Sequence, residues 1–278
     1  MEPLFWPKAG QIPIRNLRRQ LKHTKLFWRE VGRGTTVIFL HGSWCDGDQW
    51  TSVLSLMGEH YHCLAPDLIG FGESDQLPEK SAYSIAMQVN TLAELLSSLR
   101  LNSVVLVGHS LGAWIAARYA LKHSEQVRGL CVFEPEGIVY EPKRWQRERW
   151  LASPLGGVWL SITQLLSHKS ILQSRAAWQQ KHHLRRLLKQ HPAACRLLFK
   201  RSRKALEAEI IGQQLAILPI PMMVVHGQGA GTTSQYLTQK FTMATPNALV
   251  KALPGQEDLP RREANAIANC LHAWLNTI

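Results

Sequence analysis

Residues 103–114 read Ser-Val-Val-Leu-Val-Gly-His-Ser-Leu-Gly-Ala-Trp, which implies a buried strand, a tight turn and a helix in succession. Val104 to Val107 are apolar and mostly β-branched, as a strand covered on both faces requires. Gly108-His109-Ser110-Leu111-Gly112 fits Gly-x-Ser-x-Gly, and Ala113 to Leu121 supplies good helix formers. A serine on such an elbow has strained backbone angles, and the flanking glycines prevent a clash with its neighbours. Its hydroxyl stands at the top of the sheet, where the first N–H groups of the helix face developing negative charge. The pattern is common by chance; its place between a buried strand and a helix gives it meaning.

The same alternation extends in both directions. Leu26 to Val31, Thr35 to Leu40 and Tyr61 to Ala65 read as strands, with a helix over Asp48 to Glu59. Ser84 can cap a helix whose apolar residues Ile85, Val89, Leu92, Leu95, Leu96 and Leu99 recur at the helical period. Val127 to Phe133 is the strand after the elbow helix. From Tyr140 to Leu218 the strand signal disappears, and the chain is helical, basic and rich in tryptophan. The strand Pro221 to His226, a helix over Ser234 to Met243, the strand Ala248 to Leu253 and a last amphipathic helix complete it. Strands alternating with helices mean an α/β fold, a mostly parallel sheet with helices on both faces. The division expected is a core of residues 1–139 and 219–278 with a helical insertion over 140–218.

Composition agrees with one ordered domain carrying an insertion: 278 residues, 45% hydrophobic and 19% charged. Five scattered cysteines suggest no metal-site spacing and a reducing, cytoplasmic setting. No 18-residue apolar run and no signal-peptide pattern is present. No metal and no cofactor is expected.

Three motifs, each after a strand, carry a resemblance: Leu40-His41-Gly42-Ser43-Trp44, Pro66-Asp67-Leu68-Ile69-Gly70-Phe71-Gly72-Glu73-Ser74, and Gly108-His109-Ser110-Leu111-Gly112. With them the whole chain resembles the α/β-hydrolase fold superfamily, in the branch of esterases and haloalkane dehalogenases. The insertion is similar to that family's helical cap, which roofs the active site and sets substrate choice. The resemblance implies that Ser110 is the nucleophile, forming an acyl-enzyme. It implies that the backbone N–H groups of Ser43 and Leu111 form an oxyanion hole, each worth roughly 3 kcal/mol in the transition state. His41 and His109 are read as structural, and the glycines and Ser74 after Asp67 as shaping a loop.

The chain departs from the family where the serine's partners belong. A serine needs a general base, normally a histidine oriented by a carboxylate. Ala230, in Gly227-Gln228-Gly229-Ala230, stands where the acid is expected, and Glu257, in Pro254-Gly255-Gln256-Glu257-Asp258, where the histidine is expected. Glu134, at the end of the strand after the elbow, is the substitute acid, with Glu136 a weaker version. For the base, His272 falls on the solvent side of the last helix. His226 ends a strand two places from the elbow, about 10 Å away. The insertion's histidines (168, 182, 183 and 191) could reach down over Ser110, and Glu257 or Asp258 could act directly if burial raised its pKa.

The net charge of +12 is concentrated: residues 140–204 hold 15 Lys/Arg and two acids, a local balance of +13. That points to an acidic partner, an anionic substrate or an anionic membrane surface at the basic cap, the last implying peripheral association; the plain alternative is a solvated, helix-rich face. No recognition motif supports nucleic acid. Leu155 to Leu166 is the most lipid-compatible stretch, and its expected place is the inner face of the cap. Two functions follow. One is a serine hydrolase of small ester-like substrates with a displaced or unusual base. The other is a catalytically impaired hydrolase-fold binding protein that uses the basic cap.

Overall fold

A computed structural model describes residues 12–78, 81–166, 173–256 and 258–278, with side chains left undescribed at 162–166, 173–178 and 180. Eight strands form one sheet: β1 (Arg15–Gln20), β2 (Lys25–Val31), β3 (Thr36–Leu40), β4 (His62–Pro66), β5 (Val104–His109), β6 (Val127–Phe133), β7 (Met222–Gly227) and β8 (Leu249–Leu253). Their order is β1-β2-β4-β3-β5-β6-β7-β8, antiparallel at β1-β2-β4 and parallel elsewhere. The elbow strand β5 is therefore central.

Burial follows the pleat. In β3, Val37 and Phe39 join one apolar layer while Ile38 and Leu40 join the other; in β5, Val105 and Val107 part likewise from Val104 and Leu106. One layer is covered by α1 (Thr51–Met57) and, later in the chain, the last helix. The other is covered by α2 (Ile85–Ser98) and α3 (Leu111–Lys122). Ser84 caps α2 as its sequence implies, its hydroxyl accepting from Met87 N–H at 3.0 Å.

Between β6 and β7 run α4 (Pro142–Ala152), α5 (Pro154–Leu166), α6 (Gln173–Gln190), α7 (Pro192–Phe199) and α8 (Arg203–Glu207), then a 3-10 segment, Gly212–Ile217. Trp145, Leu151, Leu160 and Leu188 anchor them to the same apolar layer as α2 and α3. Here one expectation is corrected. Leu155, Val158 and Trp159 do not form an inner face; they are exposed, while Gly156 and Leu160 are buried. At helical spacing, 155, 158 and 159 share one face and 160 lies roughly 150° from its centre. After β7 come α9 (Thr232–Ala244), α10 (Leu259–Arg262) and α11 (Ala264–Leu275), whose Ile267, Leu271, Trp274 and Leu275 are buried as the apolar stripe implies.

Candidate active site

Sequence-adjacent glycines and one strained serine build the elbow. Ser110 has φ 51° and ψ −110°, a region a residue with a Cβ occupies at a cost of about 1–3 kcal/mol. Three backbone hydrogen bonds hold it there: Ser110 N–H to Phe133 O at 2.9 Å, and Ser110 O accepting from Trp114 at 3.2 Å and Glu136 at 3.3 Å. A Cβ on Gly108 would lie 2.5 Å from Ala113 N, and one on Gly112 would collide with Leu40 O, so strand and helix approach each other only through glycine.

The β3 loop passes beside this serine. A Cβ on Gly42 would lie 3.5 Å from Ser110 Cβ. Gly42 N–H is taken by Gln49 Oε1 at 3.0 Å. The N–H groups of Ser43 and Leu111 have no hydrogen-bond partner among the described residues, and the buried Ser43 hydroxyl has none either. His41 is fully buried below. Its Nδ1–H donates to Gly42 O at 2.9 Å and its Nε2 accepts from Leu68 N–H at 3.0 Å, so both nitrogens are used by the backbone. Burial pulls its pKa down to about 4. The Asp67 carboxylate fixes the neighbouring loop by accepting from Gly47 N–H at 2.8 Å, Glu73 N–H at 2.7 Å and Arg29 at 2.9 Å.

His109 turns away from the serine into a buried polar chain. Gln49 Nε2 donates to His109 Nδ1 at 3.0 Å and to Asp258 Oδ1 at 2.7 Å. Because Gln49 Oε1 serves Gly42 N–H, the amide orientation is fixed and His109 Nδ1 must accept. The ring proton is thus on Nε2, which donates to Glu134 Oε2 at 3.2 Å. Glu134 itself is left-handed (φ 47°), and its Oε1 is buried without a partner. Gln49 was invisible as a site residue from sequence, and Asp258 was read there only as a direct base, not as the acceptor for Gln49: the contact joins positions 209 apart.

Neither expected partner position carries the family's usual side chain: Ala230 is buried in the turn after β7, and Glu257 lies outside the described residues, as does His168. His226 ends β7, two strands from β5, with Nδ1 on Gly227 O at 3.3 Å. His272 is exposed on α11 and bonds Tyr61 OH at 3.0 Å, as its position on the solvent side implies. His183 is exposed. His191, just before α7, packs on the loops that follow β3 and β4: its ring centroid is 6.3 Å from Trp44 and 6.4 Å from Phe71, whose own ring meets His41 at 5.1 Å. Burial lowers the His191 pKa. Among the described residues nothing hydrogen-bonds the Ser110 hydroxyl. Nor do any three or more His, Cys, Asp or Glu side chains group to hold a metal ion. Cys45, beside the loop, is kept from thiolate chemistry because burial, with Asp258 nearby, pushes it up to about 12.

A family model described as "Alpha/beta hydrolase family" matches residues 37–261. The chain belongs to the alpha/beta hydrolase family. The chain is 32% identical over 118 residues to a 2-hydroxy-6-oxo-2,4-heptadienoate hydrolase of Pseudomonas putida, covering 40% of this chain and 41% of that protein. It is 31% identical over 140 residues to a haloalkane dehalogenase of Mesorhizobium japonicum, covering 50% and 42%. Over 111 residues it is 32% identical to an uncharacterized protein of Mycobacterium tuberculosis, covering 40% and 32%. These matches span less than half of each relative's length. In fold, this alpha/beta hydrolase is similar to a Thermogutta terrifontis esterase, with TM-score 0.72 and 18% identity over 95% of this chain and 98% of that one. It is likewise similar to a Pseudomonas fluorescens meta-cleavage product hydrolase, with TM-score 0.72 and 16% identity over 94% and 97%.

Proposed function

We propose that this alpha/beta hydrolase is a serine hydrolase of small ester-like substrates, acting through Ser110 with a base other than the family's usual histidine. The observation that supports the reading is the strain at Ser110: φ 51° is costly, as the elbow of a nucleophile is, and the N–H groups of Ser43 and Leu111 have no partner among the described residues. Attack by Ser110 Oγ on a carbonyl carbon would give an oxyanion within reach of Ser43 and Leu111 N–H, then an acyl-enzyme that water cleaves. Glu134 is the proposed acid, with one carboxylate oxygen on His109 and the other uncommitted. His191 is the insertion histidine best placed to meet a substrate against Trp44.

A second reading has its own support. Ala230 in the acid position and the commitment of both His109 nitrogens favour a catalytically impaired protein that binds a ligand under the insertion. Turnover of short-chain p-nitrophenyl esters separates the two. The hydrolase reading predicts turnover that Ser110→Ala reduces to the buffer rate with the fold intact; equal rates for both proteins would leave only the binding reading.

A further inference from the structure

The charge excess of the insertion is not neutralised on its own surface. Its two acids between residues 140 and 204, Glu141 and Glu148, are both spent on the half-buried Arg144, at 2.9 and 3.1 Å, in a cluster that Glu136 completes at 2.5 Å. Arg185 is absorbed by the carbonyls of Leu151 and Ser153, Arg196 by those of Leu77, Pro78 and Ser81, and Arg201 by Glu209. Lys143, Arg147 and Arg149 of α4 and Lys181, Arg186 and Lys189 of α6 are exposed, and none meets a carboxylate of a described residue.

Three of these cations, Lys143, Arg147 and Lys181, border an apolar patch. Leu155 is 73% exposed, Val158 58%, Trp150 41% and Trp159 39%. The two indoles meet edge-on at 5.2 Å, and Lys181 Nζ sits 5.0 Å from the Trp159 ring. On α4, Lys143 and Arg147 lie seven and three residues before Trp150 and so share its stripe. Single exposed apolar residues are ordinary; four together, two of them tryptophan and bordered by unpaired cations, are not. No helix among the described residues is long and apolar enough to cross a membrane. The combination suits a surface that rests in the headgroup region, with indoles and aliphatic side chains dipping in and Lys/Arg meeting lipid phosphates.

We propose that this face of the insertion, centred on Trp150, Leu155, Val158 and Trp159, docks on an anionic lipid bilayer. An acidic protein would satisfy the cations but not the apolar centre. A second copy would bring a like-charged rim against this one. The inference is independent of the chemistry at Ser110.

Co-sedimentation with phosphatidylcholine vesicles containing or lacking phosphatidylserine tests it. The expected result is binding to the phosphatidylserine vesicles that weakens as salt rises. Trp150→Ser/Trp159→Ser should lower it at least tenfold, and Lys143→Gln/Arg147→Gln/Lys181→Gln by roughly a hundredfold, at about fivefold per lost charge. The charge variant replaces exposed side chains only, so its thermal unfolding should be unchanged, and circular dichroism checks that the tryptophan variant remains folded. Three results would overturn the proposal: no binding to phosphatidylserine vesicles at low salt, undiminished binding by the tryptophan variant, or a dimer in solution that the tryptophan variant dissociates.

Discussion

Lowering the pH from 7.5 to 4.5 should cost the folded chain about 2.5 kcal/mol through His41 alone. In the folded protein both ring nitrogens are engaged, Nδ1–H with Gly42 O and Nε2 with Leu68 N–H, and the ring is fully buried. Protonation would put an N–H against the Leu68 N–H with no water to separate them. Burial pulls the pKa down to about 4, with His191 and Arg29 adding to the shift and Gly42 and Asp46 opposing it. In the unfolded chain the ordinary value near 6.5 applies. The unfolded state therefore takes up the proton first as pH falls. Stability is unaffected above about 7, declines between about 6.5 and 4, and then levels off. A gap of about 2.5 units at about 1.36 kcal/mol each sets a ceiling near 3 kcal/mol. Urea unfolding of the wild type and of His41→Gln, at intervals across that range, isolates the residue from the other titrating groups. A glutamine amide can donate to one backbone group and accept from the other without titrating. The wild type should lose about 2–3 kcal/mol more than the variant. Parallel stability–pH curves would refute the reasoning.

Three further outcomes concern the site. Glu134→Gln should slow ester turnover more than it lowers stability, measured by kinetics and by urea unfolding in parallel; unchanged turnover removes Glu134 from the mechanism. If His191 is the base, the ester turnover rate should fall as pH drops through a midpoint below the usual histidine value, because burial lowers its pKa, and His191→Phe should abolish that dependence. Ala230→Asp with Glu257→His should raise turnover roughly a hundredfold by restoring the family's acid and base; no gain would mean that more than these two side chains separates the chain from its active relatives.

The fold was legible because its signals are local. A β-branched run before Gly108, a serine cap at 84 and a 3.6-residue rhythm in α2 each report on their own segment. Strand β1 was not legible: Arg-Asn-Leu-Arg-Arg-Gln carries no apolar alternation, and it is a strand because it pairs with β2 at an exposed edge. Nor was the outward face of α5, since which side of an amphipathic helix meets the core depends on packing partners far along the chain. Within the site, the nucleophile's turn was written in five residues, whereas the chain Gly42–Gln49–His109–Glu134, with Asp258 attached, unites segments up to 209 residues apart. His191 was one of four insertion histidines on the page, and only the course of α6 into α7 singles it out.

The central claim is that Ser110 is a competent nucleophile despite the missing histidine. Labelling with a fluorophosphonate, read by intact mass and peptide mapping, tests it without knowledge of the substrate. The account predicts a single phosphonyl adduct on Ser110, lost in Ser110→Ala. A folded protein that takes up no label, or takes it up elsewhere, would contradict it.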